Sequence, residues 1–241
     1  MSHKGSKRCI LEFISSPDFI IETNKLIDPY ASINSNDKWI PTGTTKPKEG
    51  QIYSFLKPIN KELAKQTKNW WIEYGSQTPH WDLISTCTVN GKQGILLVEA
   101  KAHPGELDRE SKGKPFDFKK ATNKSVVNQE KIKKAIEQTN NEINNKIAPD
   151  SISISRDNCY QLSNRIAHAW WLANQGIPVI LMYLGFLNCV DMKDGNRTLF
   201  TEDNDWQECF KEHAEQVEVD SIIDVWVDCG ESKFITICRS I

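Results

Sequence analysis

Residues 81–102 read WDLISTCTVNGKQGILLVEAKA, and the layout of the chain follows from how this stretch pairs with itself. Two runs rich in β-branched and aliphatic residues, Leu83 to Val89 and Lys92 to Ala102, flank Asn90-Gly91, the dipeptide best suited to a two-residue hairpin turn. With Asn90 and Gly91 at the turn, Val89 faces Lys92, and the same count brings Asp82 opposite Glu99. Directly opposed side chains have Cβ atoms roughly 5 Å apart, so two carboxylates there repel unless a cation lies between them. A turn slipped to Gly91-Lys92 would set Asp82 opposite Lys101 instead. The two-residue period still keeps Asp82, Glu99 and Lys101 on one face, and it carries His103 to the same side.

Around this hairpin the periodicities alternate between helix and strand. Pro58 to Tyr74 places Ile59, Leu63, Trp70 and Tyr74 on one helical face, with Pro58 at the first turn. His103 to Ser125 is polar and rich in Lys, Gly and Pro, which predicts a mobile loop beside something functional, able to act as a lid. Ile132, Ile136, Ile143 and Ile147 mark an amphipathic helix over 126–147. A second helix is expected from Cys159 to Gln175, stopped by Gly176 and Pro178. PVILMYLGFL (178–187) then reads as a buried strand, which needs cover on both faces and therefore a central place in a mixed or parallel sheet. Residues 205–217 suggest another helix, and the tail from Ile222 suggests two strands about a glycine turn. Residues 1–57, broken by Pro17, Pro29, Pro41 and Pro47, predict loops, a short helix or two and an edge strand.

The 241 residues suit a single domain, and 39% apolar with 26% charged residues and eight Trp is a globular composition. The longest apolar run is about half of the ~20 residues a membrane-spanning helix requires. Met1 to Phe19 lacks an apolar stretch followed by a small-residue cleavage site, so a cytoplasmic location without membrane contact is expected. Seven scattered cysteines with no C-x-x-C pair suggest reduced, mostly buried thiols rather than a disulfide framework or a zinc knuckle. A net charge of −2 argues against coating nucleic acid by bulk electrostatics, but the charge is uneven. Residues 101–137 hold ten Lys/Arg against six Asp/Glu, whereas 201–231 hold eleven Asp/Glu against Lys211 alone, so a polyanion would meet the middle of the chain.

Two carboxylates and an ammonium at the end of a fully apolar run, Ile95 to Val98, are costly unless they have a task. Hard oxygen ligands suit Mg²⁺ or Mn²⁺ rather than zinc. Such an ion polarises a phosphoryl oxygen, and a nearby ammonium can orient a water and offset charge on phosphate. The string Pro79-His-Trp-Asp82, fifteen intervening residues and Val98-Glu99-Ala100-Lys101 resembles the PD-(D/E)XK signature of the restriction-endonuclease-like superfamily, with proline three positions before the aspartate rather than one.

The resemblance covers roughly Pro58 to Leu187. It implies an α/β (α+β) fold with a restriction-endonuclease-like mixed central β-sheet flanked by helices, forming one domain with its core at about 58–190. It further implies a metal-dependent nuclease that hydrolyses phosphodiester bonds, foremost in DNA. Asp82 and Glu99 would bind Mg²⁺ (or Mn²⁺), the Ala100 carbonyl would be a further ligand, and Lys101 would assist the attacking water. On the helix from Cys159, Gln161, Asn164, Arg165 and His168 form a polar stripe, of which Gln161 and Arg165 are candidates to support the site or touch DNA; Asn158-x-x-Gln161 can equally form a capping box. His103 is a candidate phosphate contact, and His80 and Trp81 are expected to shape the start of the strand. An acidic residue from the preceding helix would be Glu62 or Glu73.

No phosphate-binding glycine loop, G-x-S-x-G elbow or H-E-x-x-H occurs. Competing readings are a catalytically silent nuclease-fold module, favoured by the acidic C-terminal third, and a small-molecule phosphodiesterase. Whether the chain acts alone, as a homodimer or with a partner subunit stays open at this stage.

Overall fold

The hairpin turn forms as its residue types dictate: Asn90 and Gly91 both take positive φ, 48° and 77°, the conformation that matches the twist of the flanking strands. The structure, a computed structural model, describes residues 3–76, 78–110, 113, 116–117, 119–148, 151–192 and 198–241, the side chain of residue 110 excepted. In chain order it contains α1 (Gly5–Ser15), α2 (Phe19–Ile27), β1 (Trp39–Ile40), β2 (Gly50–Gln51), α3 (Ile52–Leu56), α4 (Lys61–Trp71), β3 (His80–Trp81), β4 (Leu83–Val89) and β5 (Lys92–Lys101). These are followed by α5 (Pro104–Glu110), α6 (Asn123–Lys146), α7 (Tyr160–Asn174), β6 (Val179–Gly185), α8 (Asp203–Glu215), β7 (Trp226–Asp228) and β8 (Lys233–Ser240).

Among the described residues, six strands form one mixed sheet in the order β1-β4-β5-β6-β8-β7. β4 and β5 are antiparallel in the anticipated register, Leu83 facing Val98 and Val89 facing Lys92. β5, β6 and β8 run parallel to one another, and β7 returns antiparallel to β8 about Gly230 at φ 89°. Every residue of β6 is buried, because one apolar cluster drawn from α4, α6, α7 and α8 covers one face of the sheet and a second, from α1 and α2, covers the other. The fold is thus mixed α+β with a central six-stranded sheet flanked by helices. The sheet also draws strands from outside 58–190: β1 on one edge, and β8 and β7 on the other.

Several local expectations shift. α4 begins after Asn60, whose side chain accepts the Leu63 N–H at 3.0 Å, so Pro58 precedes the helix. Its buried face is Leu63, Ala64, Thr67 and Trp71, whereas Ile59 and Tyr74 are exposed. Ile147 lies past the end of α6 and is exposed, while Ile132, Ile136 and Ile143 are buried as the period required. The stretch His103–Ser125 is not all loop: it opens with α5 and ends in α6. Positions 111, 112, 114, 115 and 118 of the proposed lid lie outside the described residues.

The cysteine reading is corrected for one pair. Cys9 in α1 and Cys189 after β6 form a disulfide across 180 residues of sequence, a proximity that only packing α1 over the sheet creates. The other five are free thiols, all buried except the half-buried Cys209. Among the described residues no helix is long and apolar enough to cross a membrane.

Candidate active site

Asp82 follows β3 and precedes the first ladder pair of β4, so its backbone bends out and its carboxylate takes over a place in the sheet. Asp82 Oδ2 accepts the Ala100 N–H at 2.8 Å. On the opposite edge of β5, Lys101 O accepts the Phe186 N–H at 2.7 Å. Strand alternation therefore turns both peptide groups of Ala100, its carbonyl included, toward Asp82.

Glu99 and Lys101 point to the same face and are almost fully buried, at 3% and 4% exposure. Lys101 Nζ donates to Glu99 Oε1 at 2.6 Å. Two residues from α7, one turn apart and so on one side of the helix, complete the cluster. Arg165 Nε and Nη2 reach Glu99 Oε2 at 2.8 and 2.7 Å, and Gln161 Nε2 donates to Glu99 Oε1. Four of the five guanidinium N–H groups are engaged: Nη2 also donates to the His80 carbonyl at 2.7 Å and Nη1 donates to Asn164 Oδ1 at 2.9 Å, and Cζ lies 4.2 Å from the Trp81 ring centroid.

These surroundings push the two acids apart. Burial alone would raise Glu99, but the charges of Arg165 and Lys101 outweigh it and hold its carboxyl below the usual range. Asp82 has no such partner. Burial first, and the Glu99 charge second, push it up to about 7, against Lys101 and the Ala100 N–H. A pair of acids in unlike environments is the pattern of a functional site, although buried ion pairs in general also perturb pKa.

A third carboxylate joins them from a region that the sequence left blank. β2 pairs with β3, Gly50 facing Trp81 and Gln51 facing His80. One further step places Glu49 across from Asp82, whose pKa its charge also raises. Glu49 accepts a bond from Lys7 Nζ at 2.6 Å, and its Oε2 is 3.8 Å from His80 Nδ1. The acids expected from the helix do not take this place: Glu62 is exposed on α4, and Glu73 is paired with Lys131 at 2.5 Å. No local period marks Glu49; only a two-residue strand pairing brings it in.

Of the polar stripe on α7, Gln161 and Arg165 meet Glu99 as expected. The capping box does not form, because α7 starts at Tyr160 after Cys159 in a left-handed conformation and Asn158 donates to the Gln216 carbonyl instead. His168 turns away from the acids into the rings of Trp70, Trp71 and Trp81. His103 is buried in the turn from β5 to α5 and lines a second cavity of about 460 Å³ with Pro104, Asp108 and Arg109. Trp81 is fully buried and His80 exposed, as residues shaping the start of a strand would be.

Asp82, Glu99 and the Ala100 carbonyl offer only oxygen donors, the type that Mg²⁺ or Mn²⁺ takes, but among the described residues the oxygens of Asp82, Glu99 and Glu49 do not all lie within 4.8 Å of one another. A cation there would also remove the destabilisation that holds Asp82 near 7. To use Glu99 Oε1 it would displace Gln161 or Lys101. A separate group with metal-ligating atoms, Cys9, Cys189 and Asp191, offers no thiolates while its two sulfurs are joined. The chain matches no family model, no curated protein and no solved structure.

Proposed function

We propose that this protein is a divalent-metal-dependent phosphodiesterase of the PD-(D/E)XK type acting on DNA. Asp82 and Glu99 would hold the ion, with the Ala100 carbonyl as a further ligand and Glu49 as an added acid. The observation that carries this reading is the burial of Lys101 against Glu99, with the Asp82 carboxylate bonded to the N–H of the residue between them. A carboxylate buried between two cations, Lys101 and Arg165, beside an aspartate whose pKa is pushed up to about 7 is unfavourable for stability alone.

The bound ion would supply Lewis-acid polarisation of a phosphoryl oxygen and lower the pKa of a water near the scissile bond. Lys101 Nζ orients that water and offsets charge developing on the phosphate. Arg165 and Gln161 hold Glu99 in one rotamer, and the Asp82–Ala100 bond fixes the second carboxylate relative to the strand. An ion held at Glu99 Oε1 would take the place of the Gln161 or Lys101 hydrogen bond there.

The test is cleavage of linear, circular and single-stranded DNA, and of RNA, with Mg²⁺ or Mn²⁺. Wild type should cut DNA and stop in EDTA, and Lys101→Ala should lose on the order of 10²-fold or more in rate. Equal activity in Lys101→Ala would defeat the assignment.

A second reading, a silent module that binds without turnover, draws on Glu99 being fully engaged by Lys101, Arg165 and Gln161. Calorimetric Mn²⁺ binding that Asp82→Ala abolishes speaks for the enzyme, and no binding by wild type speaks for the module.

A further inference from the structure

Beside the acids lies a cavity of about 330 Å³ whose wall includes Trp71, Thr78, Tyr160, Gln161, Asn164 and Arg165. Two of these residues, Gln161 and Arg165, also donate to Glu99, so the cavity adjoins the carboxylates. The size is at the lower end of ligand pockets, which run from about 300 to 1,000 Å³, and suits one small heterocycle.

The chemistry of the wall narrows the occupant. Arg165 is the permanent cation of the wall, and four of its five N–H groups are spent on Glu99, the His80 carbonyl and Asn164, so most of its charge is already matched rather than offered to a phosphate or carboxylate. The rest of the wall, His80 apart, is uncharged. Thr78 is 4% exposed and its Oγ1 has no hydrogen-bond partner among the described residues. Asn164 is 3% exposed; its Oδ1 is taken by Arg165, and its Nδ2 makes no hydrogen bond among them. Trp71 and Tyr160 add flat apolar surface. A buried hydroxyl without a partner, as at Thr78, is unfavourable unless a ligand satisfies it, and the Asn164 amide N–H beside it is open to the cavity. A planar group with donors and acceptors on its edge does so.

We infer that this cavity receives one unpaired nucleobase of the DNA substrate, so that the enzyme acts on single-stranded or locally unpaired DNA rather than on intact duplex. The inference rests on the phosphodiesterase reading and deepens it. In a duplex the base edges are paired and the faces stacked, and neither can reach Thr78 or the Tyr160 wall until the base leaves the stack.

The experiment measures binding with Ca²⁺ in place of Mg²⁺, so that it needs no turnover. Three duplexes are compared by fluorescence anisotropy: fully paired, carrying one bulged nucleotide, and carrying an abasic bulge at the same place. The base-bearing bulge should bind about tenfold more tightly than either of the others, the scale of one base on an aromatic platform. Thr78→Val, which keeps side-chain shape and removes the hydroxyl, should weaken the bulged duplex toward the abasic one and leave the other two unchanged. Equal affinities for the three duplexes, or no measurable binding to any, overturn the inference. Failure to cleave any substrate while the bulge preference holds would overturn the nuclease reading and leave the base pocket standing.

Discussion

At the scale of single residues, Asp82 carries the cost of the site. Its folded pKa of about 7 lies above the ordinary aspartate value. Between roughly pH 4 and 7 the folded state therefore holds a proton that the unfolded chain has released. The stability tied to this group is fully present below the unfolded pKa and is lost as pH rises through 7. Asp82→Asn stays neutral and still accepts the Ala100 N–H through its amide oxygen. In EDTA at pH 8 it should be more stable than wild type by about 1–3 kcal/mol, discounting the shift for the partial exposure of the side chain. At pH 4 the two should unfold alike. Denaturant titrations at both pH values check this, and a variant no more stable at pH 8 would show that Asp82 is already compensated without metal. The same variant should bind no Mn²⁺.

At the scale of elements, α7 does two jobs with one polar stripe. Its first turns deliver Gln161 and Arg165 to Glu99, and its next turn buries His168 among three tryptophans, where the ring Nδ1–H donates to the Asn164 carbonyl at 2.8 Å. Burial lowers His168 to about 3, and burial likewise lowers His213 in α8 to about 4. Both are depressed below the unfolded value, so the unfolded chain takes up protons first. Stability is whole above about pH 6.5 and drains as pH falls toward 3–4, by up to about 1.4 kcal/mol per pH unit for each histidine. His168→Phe should flatten the unfolding free energy between pH 6 and 4.5 by close to one proton's worth of slope. An unchanged slope would mean that the carboxylates alone drive acid unfolding. The capping-box reading of Asn158 and Gln161 failed on this helix because the Asn158 N–H donates to Ser155 Oγ and its side chain to the Gln216 carbonyl, ahead of a left-handed Cys159 at the cap.

At the scale of the whole molecule, the sheet is closed on both faces, and the close approach of α8 to the end of β6 depends on one missing methyl. A Cβ at Gly185 would fall on the indole of Trp206, which is fully buried. Gly185→Ala should destabilise by about 1–3 kcal/mol through overpacking, and because Gly185 faces Lys101 in the ladder, metal affinity should fall with it. Trp206→Leu in the same chain should restore part of the loss in a double-mutant cycle, whereas additive effects would mean that the two do not clash. The disulfide between Cys9 and Cys189 belongs to this scale too, since no spacing in the sequence relates residues 180 positions apart.

The residues themselves determined what acts within a few positions: the Asn90-Gly91 turn, the register that sets Asp82 beside Glu99, the buried β6, the amphipathic helices and the return of the tail as two strands. Those features come from backbone angles and from periods of 2 and 3.6, which are local. The tertiary structure alone decided that Arg165 pairs with Glu99, that Glu49 rather than Glu62 or Glu73 stands by Asp82, that His168 leaves the site, and that a cavity opens beside the acids. Each of these depends on which segments meet after the sheet closes, and a side chain with several available partners takes the one that burial makes most costly to leave unpaired.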